Sequence, residues 1–573
     1  MPQTKNKSLL IRWGLFIIVL IFSGCSLLPF LPKTPSQQFD QFVEDYFNSA
    51  FSVHTKPSKP FDWLRIESDS LDAVGAVTAL SKLRLIDTSS LSVDERIDWL
   101  QLEASVKRRI FDTSLHDAME DPGRYLTLGG LYWKIEGKKE PTVKDWSEML
   151  KTIQDAPTAL ALGRAQLQEP PPLWIKLAAN TAKRYEDFLN GPLIEKVNTT
   201  APDSLKEKLL NATKETALSL ASYRRFLQDT LTPGPEDCWK AGTEYYDWLL
   251  REFHFLPYTS ATMIETGWRI HNETKELLHS LAHRIDPSKS LQQVLADLKT
   301  RHPEPHHIAE AYFKESERVR SLILTHNLVT IPEPETLLFV PTPPALRETY
   351  AWGGYGGIVN RDGVKAGRFF VTDIVPDMTT EQIDEKLRAQ NNGWVTVIAL
   401  HEGYPGHHLQ TLYAMNAQRK VRSRLGSTYY GEGWALYAES WMARAGFYEN
   451  ADDSLAWLQM RLWRTTRVIV DPSIHTGRMT YEQAVQFMVD EVGLERSAAE
   501  AEVNRYTTWP TQAASYIIGW LEIERLKEDL QKLEGSRFDE KKFVETLLSV
   551  GSLPLELMRR ALLHQYGYNG ASP

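Results

Sequence analysis

Residues 394–413 read WVTVIALHEGYPGHHLQTLY. An apolar run of helical character delivers His401 and Glu402, and His407 and His408 follow after a proline and a glycine. Three of the chain's 15 histidines fall within eight residues, which asks for a shared task. On a regular helix, histidines at i and i+4 carry both rings to one metal ion, and a glutamate beside the first activates water. Here position i+4 is Pro405, which has no donor to offer. On an ideal helix His407 lies about 600° round from His401, on the wrong side, and His408 about 700° round but about 10.5 Å along the axis. Pro405 and Gly406 make an ideal helix untenable, because the proline ring clashes with the carbonyl of His401 and the glycine frees the backbone. A two-residue bulge returns His407 to the place of the missing ligand, and a three-residue bulge selects His408. We favour His407, with His408 behind the ligands or facing substrate.

Working outward, residues 429–439 read YYGEGWALYAE and carry Glu432 and Glu439, seven residues apart and therefore on one helix face. Much of the remaining chain has the same helical spacing. Ser204–Thr230 places apolar residues at 205, 209, 210, 217, 220, 221 and 227, and Ser92–Ile110 opens with a Ser-x-x-Glu capping pattern. Similar patterns recur at 275–300, 307–326, 380–390, 481–492 and 513–533. Strand signals are few: Thr336–Val340, and the glycine-rich stretch Tyr350–Ile374, which predicts a small hairpin or sheet with Tyr355 at a substrate edge. The expectation is a mainly α fold: one large helical body with a deep cleft and a small β element. The Pro-rich segment 331–344 is the best internal boundary, separating an N-terminal helical part (39–330) from a site-bearing part (331–573), most simply as one continuous body.

Composition limits what such a body does. The 573 residues are 42% hydrophobic and 24% charged, which excludes a disordered or multi-span membrane chain. A net charge of −9 argues against a nucleic-acid surface. Two cysteines, Cys25 and Cys238, exclude a disulfide framework. The 17 Trp and 22 Tyr exceed what a lean helical scaffold needs and hint at an aromatic-lined cleft. The first residues read as an address: a basic stretch with Lys5, Lys7 and Arg12, then the short apolar run Trp13–Phe22, too short to span a bilayer. It ends in Phe22-Ser23-Gly24-Cys25, which resembles the bacterial lipobox. We therefore expect a signal peptide at 1–24, Cys25 as lipid anchor, and a tether over 25–38. Ser26 rather than Asp after the cysteine favours the outer membrane in a two-membrane host.

HEGYPGHHLQ (401–410) followed by GEGWALYAE (431–439) resembles the bacterial domain of unknown function 885 family, many of whose members are lipoproteins. That family looks like a distant relative of the helical zinc metallopeptidases, the gluzincins of the carboxypeptidase Taq, thimet oligopeptidase and angiotensin-converting-enzyme families. The resemblance continues through RVIVDPSIHTGRMTYEQA (467–484) and EVNRYTTWPTQAASYIIG (502–519), and Ser515–Gly519 is similar to a Ser-Tyr-x-Leu-Gly run in the carboxypeptidase Taq family. In the gluzincins a glutamate some two dozen residues beyond the second histidine is the third zinc ligand, and Glu432 stands 25 beyond His407. The resemblance thus implies His401, His407 and Glu432 around one zinc ion per chain, with Glu402 as general base. A donor to the oxyanion is then needed opposite the metal: Tyr516 first, with His475, Arg505 and Tyr506 as further candidates. Glu439 is placed to orient a ligand histidine. The expected function is peptide hydrolysis in the cell envelope. The alternatives are a non-catalytic binding or assembly lipoprotein that keeps the fold, and a metal hydrolase of another amide or ester. No Glu-x-x-His pair lies in this cluster to suggest a di-iron centre.

Overall fold

A computed structural model describes residues 33–48, 66–115, 121–135, 140–342, 350, 352–361, 363–375 and 378–568. The signal segment, Cys25 and most of the tether lie outside them. The chain is mainly helical. Its longer helices are α1 (Pro35–Phe47), α2 (Ile66–Arg84), α3 (Val93–Leu115), α4 (Val143–Gln166), α5 (Pro172–Phe188), α6 (Asp203–Arg225), α7 (Ser260–Ile285) and α8 (Ile308–Thr325). After a small sheet come α9 (Asn392–Glu402), α10 (His407–Ala414), α11 (Thr428–Arg444), α12 (Ala451–His475), α13 (Tyr481–Val492), α14 (Arg496–Thr508), α15 (Ser515–Glu534), α16 (Glu540–Ser549) and α17 (Leu555–Gln565).

Local chemistry starts many of these helices. The Ser92–Glu95 pair closes reciprocally at the start of α3, with Ser92 N donating to Glu95 at 2.8 Å and Glu95 N to Ser92 Oγ at 3.3 Å. Thr142, Thr259 and Thr480 do the same for α4, α7 and α13. Thr34 caps α1 in this way too, so the expected tether to residue 38 is too long: Pro35–Gln38 form the first turn of a helix. Phe39, Phe42 and Val43 of that helix pack against Leu83, Leu102 and Val106 of α2 and α3. The single helical stretch expected over 275–300 is in fact two helices, because Asp286 extends out of α7 and Ser290 caps a new start.

The β element has strands β1 (Glu335–Pro341), β2 (Gly353–Arg361) and β3 (Val364–Val371) in the order β1-β3-β2. β1 and β3 are parallel, β2 and β3 antiparallel, with a register shift between Tyr355 and Ile358. The Pro-rich segment before it does not divide the interior. One core joins Ile97, Tyr246 and Met263 from before it to Leu400, Trp434, Ile517 and Leu557 from after it. A second core joins Leu278 and Tyr312 to Phe369, Trp394, Trp463 and Val470. Residues 121–231 alone enclose a separate one, built on Trp146, Ile153, Leu160, Phe188 and Tyr223.

Candidate metal centre

α9 is buried on every side from Gly393 to His401, which is why its run is apolar without alternation. Asn391 caps its start by accepting from Trp394 N at 3.1 Å. The helix stops at Glu402, and α10 restarts at His407. The interruption is therefore a full break of four residues rather than a bulge. Gly406 N donates to Leu400 O at 3.2 Å, and the Trp434 indole N–H donates to Pro405 O at 3.0 Å and Gly406 O at 3.3 Å, so α11 holds the break in place. Glycine is required at 406: a Cβ there would stand 1.8 Å from the carbonyl oxygen of His401.

The break turns His407 towards His401, with ring centroids 5.0 Å apart. Glu432 of α11 completes the group: its Oε2 lies 3.3 Å from His407 Nε2 and 3.8 Å from His401 Nε2. All three donor atoms lie within 4.8 Å of one another. Donors about 2.0–2.1 Å from a tetrahedral zinc stand roughly 3.4 Å apart, so the set needs little contraction to hold one. His401 Nδ1 donates to the fully buried Glu439 at 2.7 Å, which leaves the Nε2 lone pair facing Glu432 and His407. The donor set and its tautomer therefore fit a zinc ion. Burial opposes charge on His401, but Glu432 and Glu439 more than offset this and raise it to about 9. His407 is raised by Glu432 against the same burial. Burial would raise the Glu432 carboxyl, yet the two histidines hold it well below the usual range.

His408 points elsewhere. It is fully buried, with Nε2 donating to Glu335 of β1 at 2.8 Å and Nδ1 accepting from the Tyr355 hydroxyl at 3.1 Å. Tyr355 in turn lies nearly parallel to the His407 ring at 6.5 Å. The sheet is thus tied to the back of α10 through one histidine.

The three donors open into a cavity of about 440 Å³, which Glu402, Tyr355, Arg505 and Tyr516 also line. Tyr516 lies parallel to His401, 6.4 Å between centroids, with the Arg467 guanidinium 4.5 Å above its ring. Burial pushes its hydroxyl up to about 12, so it is a donor at neutral pH. It reaches the cavity because α15 and α11 touch at glycines: a Cβ on Gly519 would stand 2.0 Å from Tyr429 O.

Two expected residues are elsewhere. His475 is fully buried away from the cavity, accepting from Ala241 N at 3.2 Å and donating to Tyr506 O at 2.9 Å. Burial lowers it to about 4, so it is neutral. Its place at the buried end of α12 gives it a packing role instead of the catalytic one expected. Tyr506 lies behind the wall, donating to Glu502 at 2.6 Å and accepting from Arg467 at 3.2 Å.

The sequence reading missed Arg464, Arg467 and Glu502, all on the cavity wall, and Glu335. Arg467 and Arg505 both bind Glu502, at 2.9 and 3.1 Å. Burial would raise that carboxyl, but the two guanidinium groups hold it at about 2. Arg461, Arg464 and Arg467 recur every third residue in a helix that is buried along most of its length, and that spacing was a readable signal. Glu335, on a short strand 73 residues before His408, carried none.

A family model described as bacterial protein of unknown function (DUF885) matches residues 67–562, and the chain belongs to that family. Two solved structures share its fold. A candidate lipoprotein of unknown function from Shewanella oneidensis has TM-score 0.73 and 21% identity, over 93% of this chain and 100% of that one. A candidate lipoprotein from Colwellia psychrerythraea has TM-score 0.73 and 17% identity, over 94% and 100%. No curated protein matches.

Proposed function

We propose that this protein is a zinc-dependent peptidase of the bacterial cell envelope, anchored by lipid on Cys25, on the outer membrane where the host has two. The observation that carries the reading is the convergence of His401, His407 and Glu432 beside Glu402 in one cavity. The chemistry that a bound zinc supplies in such a site is a water acidic enough to ionise near neutral pH. Glu402, beside the first donor, would act as the general base, taking a proton from the attacking water and returning it to the leaving amine. The Tyr516 hydroxyl donates to the oxyanion that develops on the attacked carbonyl. Glu439 keeps His401 in its binding tautomer, and Glu502 holds Arg467 and Arg505 against the cavity wall. An aromatic, partly enclosed cavity of this volume suits an extended peptide better than a folded protein surface. Description of both structural relatives as lipoproteins agrees with the lipobox-like Phe22–Cys25.

The test is Glu402→Gln in the full chain. Metal content measured by mass spectrometry should stay near one zinc per chain, while hydrolysis of a mixed peptide library falls by about 10²–10⁴-fold. Unchanged turnover in that variant overturns the assignment of Glu402, and wild-type protein that takes up no zinc overturns the whole reading.

A further inference from the structure

Trp509 borders the cavity of the metal centre and also a second cavity, of about 280 Å³. Its ring is half exposed, unusual for the largest apolar side chain. The turn that carries it is firmly held: Thr511 N donates to Asp471 at 3.1 Å, Thr511 O accepts from Tyr429 at 2.9 Å, and Thr511 Oγ1 bonds His254 at 2.9 Å. Trp509 is thus a half-exposed ring on a firmly held partition between two chambers.

The second chamber is lined by one polar atom that the fold leaves unsatisfied. Gln101 is 4% exposed, and its amide nitrogen donates to Ser552 O at 2.9 Å and Leu425 O at 3.4 Å. Two carbonyl partners fix the orientation of the amide, so the oxygen is the atom left over, and it is buried without a partner. An unpaired buried acceptor costs about 1–3 kcal/mol. The same cavity is also lined by donors. Thr428, in the first turn of α11, has a backbone N–H with no partner inside the helix. The Arg424 guanidinium stands exposed at the rim, and Arg108 packs 5.0 Å above the Phe253 ring. A buried acceptor, a helix N-terminus with an arginine, and two aromatic faces match an extended peptide bearing a carboxylate: its N–H bonds Gln101, and its carboxylate meets Arg424 and the start of α11.

We propose that this chamber is a distal subsite, in which a peptide reaching past Trp509 from the metal centre is held by its far carboxylate. The inference rests on the peptidase reading above and adds substrate length and charge to it. The subsite lies at the N-terminus of the same helix that presents Glu432 and Glu439.

The experiment measures binding by calorimetry to the full chain carrying Glu402→Gln, so that peptide is not consumed. The probes are a three-residue and a seven-residue peptide, each with free and amidated C-terminus, and the longer one also with its distal Glu changed to Gln. The longer free peptide should bind about tenfold more tightly than the shorter one. Arg424→Glu and Trp509→Ala should each cut that ratio to under about twofold, whereas Lys208→Glu, an equal charge change at an exposed position of α6 in the separate 121–231 region, should leave it intact. Loss of the ratio on amidation assigns the carboxylate to the chain terminus, and loss on Glu to Gln assigns it to a side chain. A ratio that survives both Arg424→Glu and Trp509→Ala, or no length dependence at all, overturns the subsite. Trp509→Phe, which keeps an aromatic ring, provides a check should the alanine variant fold poorly. Because the readout is affinity, it remains decisive even if no peptide is hydrolysed, so failure of the subsite and failure of the peptidase reading are separately visible.

Discussion

In the 121–231 module the interior is Trp146, Met149, Ile153, Leu160, Phe188, Leu220 and Tyr223, and the fully buried polar residues among those described are Thr213 and Thr216. Around the metal centre the interior holds His401, His408, Glu439, Arg464, Arg467, Asp471 and His475, each at most 5% exposed. Both regions are stacks of helices with similar caps. The module is stabilised by area removed from water, a non-directional term that tolerates change of shape but not loss of volume. The site is held by charges whose burial is costly unless each meets its partner. Volume lost in the first should cost stability without touching the donor set, whereas a donor lost in the second should cost the chemistry directly.

Four experiments probe that division, in order of expected effect. Glu432→Ala removes a donor from the site and should lower peptide hydrolysis by about 1000-fold or more, with zinc content falling in parallel and thermal melting still cooperative. Retention of zinc at wild-type stoichiometry would contradict the donor set. Leu160→Ala empties a fully buried site in the module and should cost about 2–5 kcal/mol in denaturant unfolding, while zinc content and kcat per folded molecule stay at wild-type values. A comparable loss of kcat would show that the two regions are coupled. Glu439→Gln keeps an acceptor for His401 Nδ1 but removes the charge, so zinc affinity in competition with a chelator should fall about 10–100-fold. An unchanged affinity would make Glu439 a packing residue.

The smallest effect is on pH. Burial raises Asp471 to about 7, against partial relief from Tyr246, whose hydroxyl donates at 2.5 Å. An acid raised in the folded state binds its proton more tightly there than when unfolded. Its contribution is therefore fully present below its ordinary pKa near 4 and is lost as pH rises to about 7, by at most about 1.4 kcal/mol per pH unit. Asp471→Asn should flatten the stability profile across that window. A slope identical to wild type would place the titration in other groups.

The order of legibility follows the same division. The apolar period of residues 204–225 and the Ser92–Glu95 cap were readable because helix faces and caps are set within a few residues. His401, Glu402, His407 and Glu432 were visible for a related reason, since all sit in two short stretches. Glu335 and Glu502 were not, because their roles arise from partners elsewhere in the chain: His408 from Glu335, and Arg467 from Glu502. His475 misled because a histidine in a family-like segment reads the same whether it faces a cavity or a backbone carbonyl.

By itself, the sequence determined the helical class, the small sheet and the short list of donors, since periodicity, capping and residue chemistry are local properties. The choice between His407 and His408 was a tertiary decision. It depended on where the chain resumes its helix after Pro405 and Gly406, and that is fixed by the Trp434 indole reaching the two freed carbonyls from another helix. Whether a ring turns towards Glu432 or Glu335 is an angle of about 100° on a helix, and only packing across the core sets it.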